Sequence, residues 1–126
     1  MDINNKCIVC LGSNSNAELH LKAAEKELNT IFSGINWGKA VHTFPEDTIH
    51  PAIYVNRIAI FYTDQSIEDI KKQFKEIEKE HGRTPSSKST GIVPLDIDLI
   101  TYGDKVLKPE DMGKKYFLKA LATVNK

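Results

Sequence analysis

The sequence predicts an α+β protein with a ferredoxin-like β-α-β-β-α-β order, in which two helices cover one face of an antiparallel sheet and a short C-terminal tail follows. Apolar runs of strand length alternate with segments whose apolar residues recur at helical spacing. Glycine and polar residues separate these segments, as expected for turns. With 126 residues, 40% hydrophobic and 27% charged, the chain predicts one domain over residues 1–126 with its own core.

The first strand and the first helix follow from two apolar patterns. The segment Lys6–Leu11 is a continuous apolar run, which is typical of a central strand. Over Ala17–Phe32 the apolar residues recur at helical spacing, so this segment predicts a helix. The polar residues 14–16 are its candidate N-caps, and Gly34 is its stop signal.

Two strands and a second helix are predicted next. The segments Ile35–Phe44 and Tyr54–Tyr62 read as strands, and we expect them to pair with each other. Ser66–Asp69 fits the [ST]-x-x-[DE] capping box, so a helix begins at Ser66. Its apolar stripe ends before Gly82, the expected C-cap glycine.

The last third of the chain combines a long loop with a strand and a tail. The polar loop Arg83–Val93 has a length that is typical of functional lids. The segment Leu95–Gly103 follows it and predicts a strand. Lys105–Leu107 predicts a short edge strand, and the apolar spacing within Asp111–Val124 predicts a final helix.

Charge and hydropathy exclude two classes of partner. Lys+Arg and Asp+Glu both number 17, so the net charge is zero and we expect no nucleic-acid partner. No apolar run reaches the length of a membrane-spanning helix, and the first residues lack the apolar core of a signal peptide. We therefore expect a cytoplasmic protein with no membrane partner. A monomer is the expected oligomeric state, although charge and hydropathy do not determine it.

The cysteines Cys7 and Cys10 form a C-x-x-C motif within the first strand pattern. A redox pair or half of a zinc site is one interpretation of this spacing. Two buried apolar side chains are the other, and it is favoured because the motif does not open a helix. The sequence also has no second Cys/His pair at metal-binding spacing.

The segment Leu95–Gly103 carries the most informative polar residues. In it, apolar residues alternate with Asp96 and Asp98, so both carboxylates share one face of a strand, about 7 Å apart. Mg²⁺ prefers such oxygens, usually one or two of them together with substrate phosphates and water. A solvated face is the alternative, but Asp is disfavoured in strands. The predicted topology brings Leu11–Asn14 close to this pair.

Four short blocks of the sequence occur in an informative order. They are Leu11–Asn14; Thr43–Pro45 with Tyr54–Asn56; Ile77–Glu78 with Gly82–Arg83; and Gly91 with Leu95–Gly103. In order and spacing they resemble the hydroxymethyl-dihydropterin pyrophosphokinase family. The resemblance implies transfer of pyrophosphate from ATP to the hydroxymethyl group of 6-hydroxymethyl-dihydropterin, with release of AMP, in folate biosynthesis. It also implies ATP and a dihydropterin as partners, and two Mg²⁺ ions bound with ATP.

The resemblance further implies roles for individual residues. Asp96 and Asp98 would bind the metal ions and, with Arg83, take part in catalysis. The expected substrate-binding residues are Thr43, Pro45, Tyr54, Asn56 and Phe117. The expected nucleotide-binding residues are Glu78, Lys88, Lys114 and Lys115. A strand residue facing water is the alternative for Asn56, and a solvated surface position is the alternative for Arg83 and Glu78.

The chain departs from the family pattern at Val93, where the family has an arginine three residues before the first Asp. Two readings follow. The protein is either a working pyrophosphokinase in which Lys114 and Lys115 replace lost cations, or a catalytically impaired relative that binds pterin or nucleotide without efficient transfer. A structural module with a chance D-x-D motif is a third reading, and the four ordered blocks argue against it.

Overall fold

The computed structural model describes residues 4–43, 53–82 and 92–124. These ranges form an α+β structure with an open antiparallel sheet. The strands are β1 (Asn5–Ser13), β2 (Asn36–Trp37), β3 (Val41–Thr43), β4 (Tyr54–Thr63), β5 (Asp96–Tyr102) and β6 (Lys105–Val106). The helices are α1 (Ala17–Ile31), α2 (Ile67–Glu80), α3 (Pro109–Met112) and α4 (Lys115–Ala122). No helix within the described ranges is long and apolar enough to cross a membrane.

The sheet has the strand order β2-β4-β1-β5-β6, and β3 pairs with β4 as well. The predicted neighbourhood of the first strand and the D-x-D strand is confirmed, because β1 pairs with β5 along its length. Its other edge pairs with β4 from Asn5 to Ser13. β1 is therefore the central strand, and its C-terminal end lies beside the start of β5, where the acidic residues are.

The segment that predicted one strand over Ile35–Phe44 forms two short strands, β2 and β3, within its described part. The interruption follows Gly38, whose N–H donates to the carbonyl of Ile58 and whose carbonyl accepts from Arg57 Nε. A Cβ on Gly38 would lie 2.6 Å from the Thr123 hydroxyl. β2 and β3 pair with β4 in registers that differ by one residue, and between them the N–H of Lys39 donates to the Thr123 hydroxyl at 2.7 Å. These contacts join residues far apart in the chain, so the local sequence did not predict the interruption.

The sheet buries apolar residues on both faces. Alternate residues of β1 from Cys7 to Leu11 pack in one cluster with α1 and α2. Ile8 and Cys10 pack in a second cluster with Phe117 and Ala120 of α4. The sequence analysis placed helices on one face only, whereas α4 contributes to the second cluster because β1 is apolar on both faces and needs cover there too.

Helix-capping predictions were right for α2 and incomplete for α1. The Ser66 hydroxyl accepts a hydrogen bond from the N–H of Asp69 at 3.1 Å, and Gly82 follows the helix with φ +88°. Asn16 is the N-cap residue of α1 and has a left-handed backbone, but its side chain makes no capping bond. Asn14 uses its side chain elsewhere, as described below.

Cys7 and Cys10 are free thiols on opposite faces of β1, which confirms the buried apolar interpretation over a redox pair. Burial raises the pKa of Cys7 to about 11. Burial also raises the pKa of Cys10, and the nearby charge of Asp98 acts in the same direction. Both cysteines are therefore protonated and poorly reactive in the folded protein.

Candidate active site

The pairing of β1 with β5 positions the two acidic residues. Gly12 lies opposite Asp96, and Cys10 lies opposite Asp98. Alternation along β5 puts Ile97 and Leu99 in the cluster with α1 and α2, so both carboxylates point to the other face. The predicted sharing of one strand face is confirmed, and the side chain of Asp98 keeps 27% of its surface exposed.

The environment of Asp98 disfavours a bare negative charge. Burial, a side-chain hydrogen bond with Asp96 and the charge of Asp96 raise the pKa of Asp98 to about 7. Lys108 acts in the opposite direction, with Nζ 3.7 Å from Oδ1 of Asp98. A divalent cation would also relieve the repulsion between the two carboxylates, and its double positive charge would do so more strongly than the single charge of Lys108.

The donor set fits a cation that arrives with a nucleotide. Among the described residues, no group of three or more His, Cys, Asp or Glu side chains is arranged to hold a metal ion. Mg²⁺ does not require such a group, since it is commonly bound by one or two carboxylates, substrate phosphates and water. Asp96 and Asp98 supply the protein oxygens that such a site needs.

A first cavity of about 290 Å³ opens beside the carboxylates. Its lining residues are Cys10, Gly12, Thr43, Tyr54, Asn56, Asp96, Asp98, Asp111 and Lys114. Asn56 is 6% exposed, and its Nδ2 donates to the Thr43 hydroxyl at 3.2 Å. The structure therefore brings three of the expected substrate-binding residues, Thr43, Tyr54 and Asn56, to the same cavity as the acidic pair.

Gly12 allows this cavity to form. A Cβ at that position would lie 3.0 Å from Cε1 of Tyr54 and 3.2 Å from Oδ1 of Asn56. The absence of a side chain at Gly12 therefore lets the ring and the amide lie this close to β1 without displacement. Gly12 belongs to one of the four sequence blocks, but its role could not be predicted because Tyr54 and Asn56 lie on a strand that begins far along the chain.

A second cavity of about 300 Å³ shares the acidic pair. Its lining residues are Lys71, Phe74, Lys75, Glu78, Asp96, Ile97, Asp98, Leu99 and Lys108. Glu78 Oε2 accepts a hydrogen bond from the N–H of Ile97 at 2.8 Å, so α2 is tied to β5 between the two aspartates. Asp96 and Asp98 thus belong to the walls of both cavities.

The three lysines of the second cavity were not predicted as site residues from the sequence. Lys71 and Lys75 of α2 had no role assigned from the sequence. The sequence did contain one signal for them. Lys71, Lys75 and Glu78 are spaced four and three residues apart, and residues at these spacings lie on one side of a helix. Lys108 had no local signal, because its position beside Asp98 arises from the contact of the segment after β6 with β5.

The remaining expected site residues are either buried elsewhere or outside the described part of the chain. Phe117 has no exposed surface, packs in the second cluster and is not among the residues that line the first cavity. Lys115 begins α4, but its side chain lies outside the described part. Pro45, Arg83 and Lys88 also lie outside the described residues. Their assigned roles therefore stay predictions.

Asn14 links the turn after β1 to the segment before β5. Its side-chain Oδ1 accepts from the N–H of Val93 at 2.6 Å, and its own N–H donates to the carbonyl of Val93 at 3.0 Å. This pair of bonds fixes the backbone at Val93, the position where the resemblance led us to expect an arginine. The chain is thus anchored at this point without a cationic side chain.

Comparison with protein families assigns the chain to a class of enzymes, the transferases that act as kinases on a pterin in folate biosynthesis. The matching family model is 7,8-dihydro-6-hydroxymethylpterin-pyrophosphokinase (HPPK), over residues 8–126, and the chain belongs to this family. The resemblance found in the sequence is thereby confirmed. Comparison with individually curated proteins finds no match.

Proposed function

We propose that the protein transfers a pyrophosphoryl group from ATP to the hydroxymethyl oxygen of 6-hydroxymethyl-dihydropterin and releases AMP. Family membership supports this reaction class. The observation that carries the proposal is that Asp96 and Asp98 line both cavities. A nucleotide in one cavity and a pterin in the other would meet at these carboxylates, as a direct transfer between two substrates requires.

The pterin is proposed to occupy the first cavity. Asn56 offers both an amide donor and an amide acceptor, which suit the edge of a pterin ring. Its burial and its bond to Thr43 support a fixed orientation of that amide. Tyr54 provides an aromatic surface for a flat heterocycle in the same cavity.

The nucleotide is proposed to occupy the second cavity. Lys71, Lys75 and Lys108 place three ammonium groups in its wall beside three acidic side chains, and ammonium groups of this kind bind phosphate oxygens. The expected contributions of Arg83, Lys88 and Lys115 would add to this charge. When bound, Mg²⁺ neutralises charge on the phosphates and is proposed to be held by Asp96 and Asp98.

The reaction balances as a single displacement at phosphorus. The hydroxymethyl oxygen forms a bond to the β-phosphorus of ATP, and the bond from that phosphorus to the α,β-bridging oxygen breaks. AMP leaves with the bridging oxygen. The hydroxyl proton passes to a base, for which we propose Asp96, because it lines the cavity assigned to the pterin.

Incubation with ATP, Mg²⁺ and 6-hydroxymethyl-7,8-dihydropterin, followed by chromatography of the nucleotides, tests the reaction. We expect AMP only when the pterin is present, and a loss of AMP formation in Asp96→Asn and Asp98→Asn. The impaired relative is the second candidate, and the apolar Val93 favours it. Pterin binding by titration without any AMP would support that second reading and contradict the first.

The finer fold assignment also belongs to this proposal. The order β4-β1-β5, with β2 and β3 beside β4, supports a ferredoxin-like topology for the strands. The single domain over residues 1–126, the monomeric state and the cytoplasmic location stay predictions.

A further inference from the structure

Two lysines with different partners lie beside the carboxylate pair. In the wall of the first cavity, Lys114 Nζ lies 3.0 Å from Oδ1 of Asp111. In the wall of the second cavity, Lys108 Nζ lies 3.7 Å from Oδ1 of Asp98. Lys108 is therefore paired directly with one of the two residues assigned to metal binding.

The backbone of Lys108 is held while its side chain is accessible. The N–H groups of Leu107 and Lys108 donate to the carbonyl of Ile100 at 2.8 and 3.4 Å, which ties this segment to β5. The side chain of Lys108 is 41% exposed. A lysine ammonium on a flexible four-carbon stem can exchange partners without a backbone change.

We propose that Lys108 is the counter-ion of Asp98 in the metal-free protein and moves to the nucleotide polyphosphate when a divalent cation binds Asp98. A cation at Asp98 would repel an ammonium group that keeps its present distance. Phosphate oxygens in the second cavity would offer that ammonium new partners, next to Lys71 and Lys75. Lys108 would thus supply positive charge that the apolar Val93 does not.

This inference rests on the proposed function for the nucleotide, but the competition at Asp98 can be measured alone. In the metal-free protein the lysine and the cation compete for the same carboxylate. Removing the lysine should therefore strengthen cation binding and weaken nucleotide binding. A lysine that only supports the local structure would weaken both, so the opposite signs distinguish the two roles.

The experiment compares Lys108→Met, Lys108→Gln and Lys108→Arg with the control Lys105→Met. Lys105 is exposed in β6 and lines neither cavity. Mn²⁺ binding without nucleotide is measured by paramagnetic resonance of the free ion. Binding of an ATP analogue with a methylene bridge between the α- and β-phosphates is measured by calorimetry at saturating Mg²⁺.

We expect Mn²⁺ to bind Lys108→Met and Lys108→Gln about two- to fivefold more tightly, which is the range for a partly exposed ion pair. The analogue should bind both variants about tenfold more weakly, as expected for loss of a charge-assisted contact. Lys108→Arg should keep most of the nucleotide affinity, and Lys105→Met should match the parent protein in both measurements.

Unchanged or weaker Mn²⁺ binding in both neutral variants would overturn the counter-ion role, and unchanged analogue binding would overturn the transfer to phosphate. The AMP assay separates this inference from the proposed function. Opposite shifts in a protein that releases no AMP would support the role of Lys108 and contradict the transferase. AMP release by the parent protein, with unchanged Mn²⁺ and analogue binding in both neutral variants, would support the transferase and contradict the role of Lys108.

Discussion

Glu78 accepts a hydrogen bond from the backbone N–H of Ile97 at 2.8 Å, and Ile97 lies between Asp96 and Asp98. β1 holds one edge of this part of β5 through the pairs Gly12–Asp96 and Cys10–Asp98. Glu78 holds the backbone from α2. The two carboxylates are therefore oriented by main-chain contacts rather than by their own side-chain partners alone.

Glu78→Ala should lower the free energy of unfolding by about 1.5–3 kcal/mol, the usual range for a hydrogen bond to a charged group. It should also weaken Mn²⁺ binding, because β5 loses its attachment between the two ligands. Glu78→Gln keeps an acceptor oxygen and should retain most of both properties. Chemical denaturation and Mn²⁺ titration measure the two effects.

The control for Glu78 is Glu76→Ala, which removes an exposed carboxylate from the same helix. It should change stability and Mn²⁺ affinity little, as expected for a surface position. Equal effects of Glu76→Ala and Glu78→Ala would mean that general charge on α2, and not the bond to Ile97, is responsible.

Gly12→Ala should obstruct the first cavity, because the added Cβ would lie 3.0 Å from the Tyr54 ring and 3.2 Å from the Asn56 amide oxygen. We expect pterin affinity to fall about tenfold or more, in line with the usual cost of overpacking. Mn²⁺ affinity should stay close to that of the parent. Pterin fluorescence titration measures the first effect.

Gly113→Ala is the matched control for Gly12→Ala. A Cβ at Gly113 meets nothing within 4 Å, and its φ of −83° suits an ordinary residue. Pterin affinity should therefore be unchanged. If Gly12→Ala also binds pterin normally, the cavity beside Tyr54 and Asn56 is not the pterin site.

Asp98 should make stability depend on pH in the metal-free protein. Its folded pKa of about 7 lies above its ordinary value of 3.8, so the folded state binds a proton that the unfolded state has lost. The free energy of unfolding should therefore fall as pH rises between these values, by an amount on the order of a few kcal/mol.

Denaturation with EDTA at pH 5 and pH 8 checks this sign. The side chain introduced in Asp98→Asn cannot ionise. The free energy of unfolding of this variant should therefore exceed that of the parent by more at pH 8 than at pH 5. Added Mg²⁺ should stabilise the parent more at pH 8, because the carboxylate is then free of its proton. An equal difference between variant and parent at both pH values would contradict the raised pKa of Asp98.

The thiol of Cys7 should be unreactive in the folded protein. It has no exposed surface, and burial raises its pKa to about 11. Ellman's reagent should modify Cys7 only after denaturation, as followed by mass spectrometry of its peptide. Rapid modification under native conditions would show that the first cluster opens readily, or that the thiol lies nearer to solvent than in this structure.

Features set by neighbouring residues could be predicted from the sequence. The N-cap at Ser66 and the glycine at residue 82 depend on contacts within a single turn, and both were confirmed. The alternation of Asp96 and Asp98 with apolar residues depends only on strand geometry. The pairing of β1 with β5 could be predicted from the order of the elements, because the first and last strands of a ferredoxin-like order are neighbours in the sheet.

Features set by distant residues could not be predicted in this way. Asn14 was a candidate helix cap, but its side chain bonds to Val93, 79 residues away. Lys108 became part of the site only because its segment folds against β5. The burial of Phe117 in the second cluster also depends on strands distant in the sequence, and its expected contact with the pterin stays a prediction.

The most direct test of the central claim is to identify what the pterin gains in one turnover. ATP carrying ¹⁸O on the non-bridging oxygens of its β-phosphate is incubated with Mg²⁺, the dihydropterin and the enzyme, and the masses of the products are measured by mass spectrometry. The account predicts a pterin with two added phosphate groups that contains the label, and an equal amount of unlabelled AMP. Release of ADP with a singly phosphorylated pterin, or no modified pterin while both substrates bind, would contradict it.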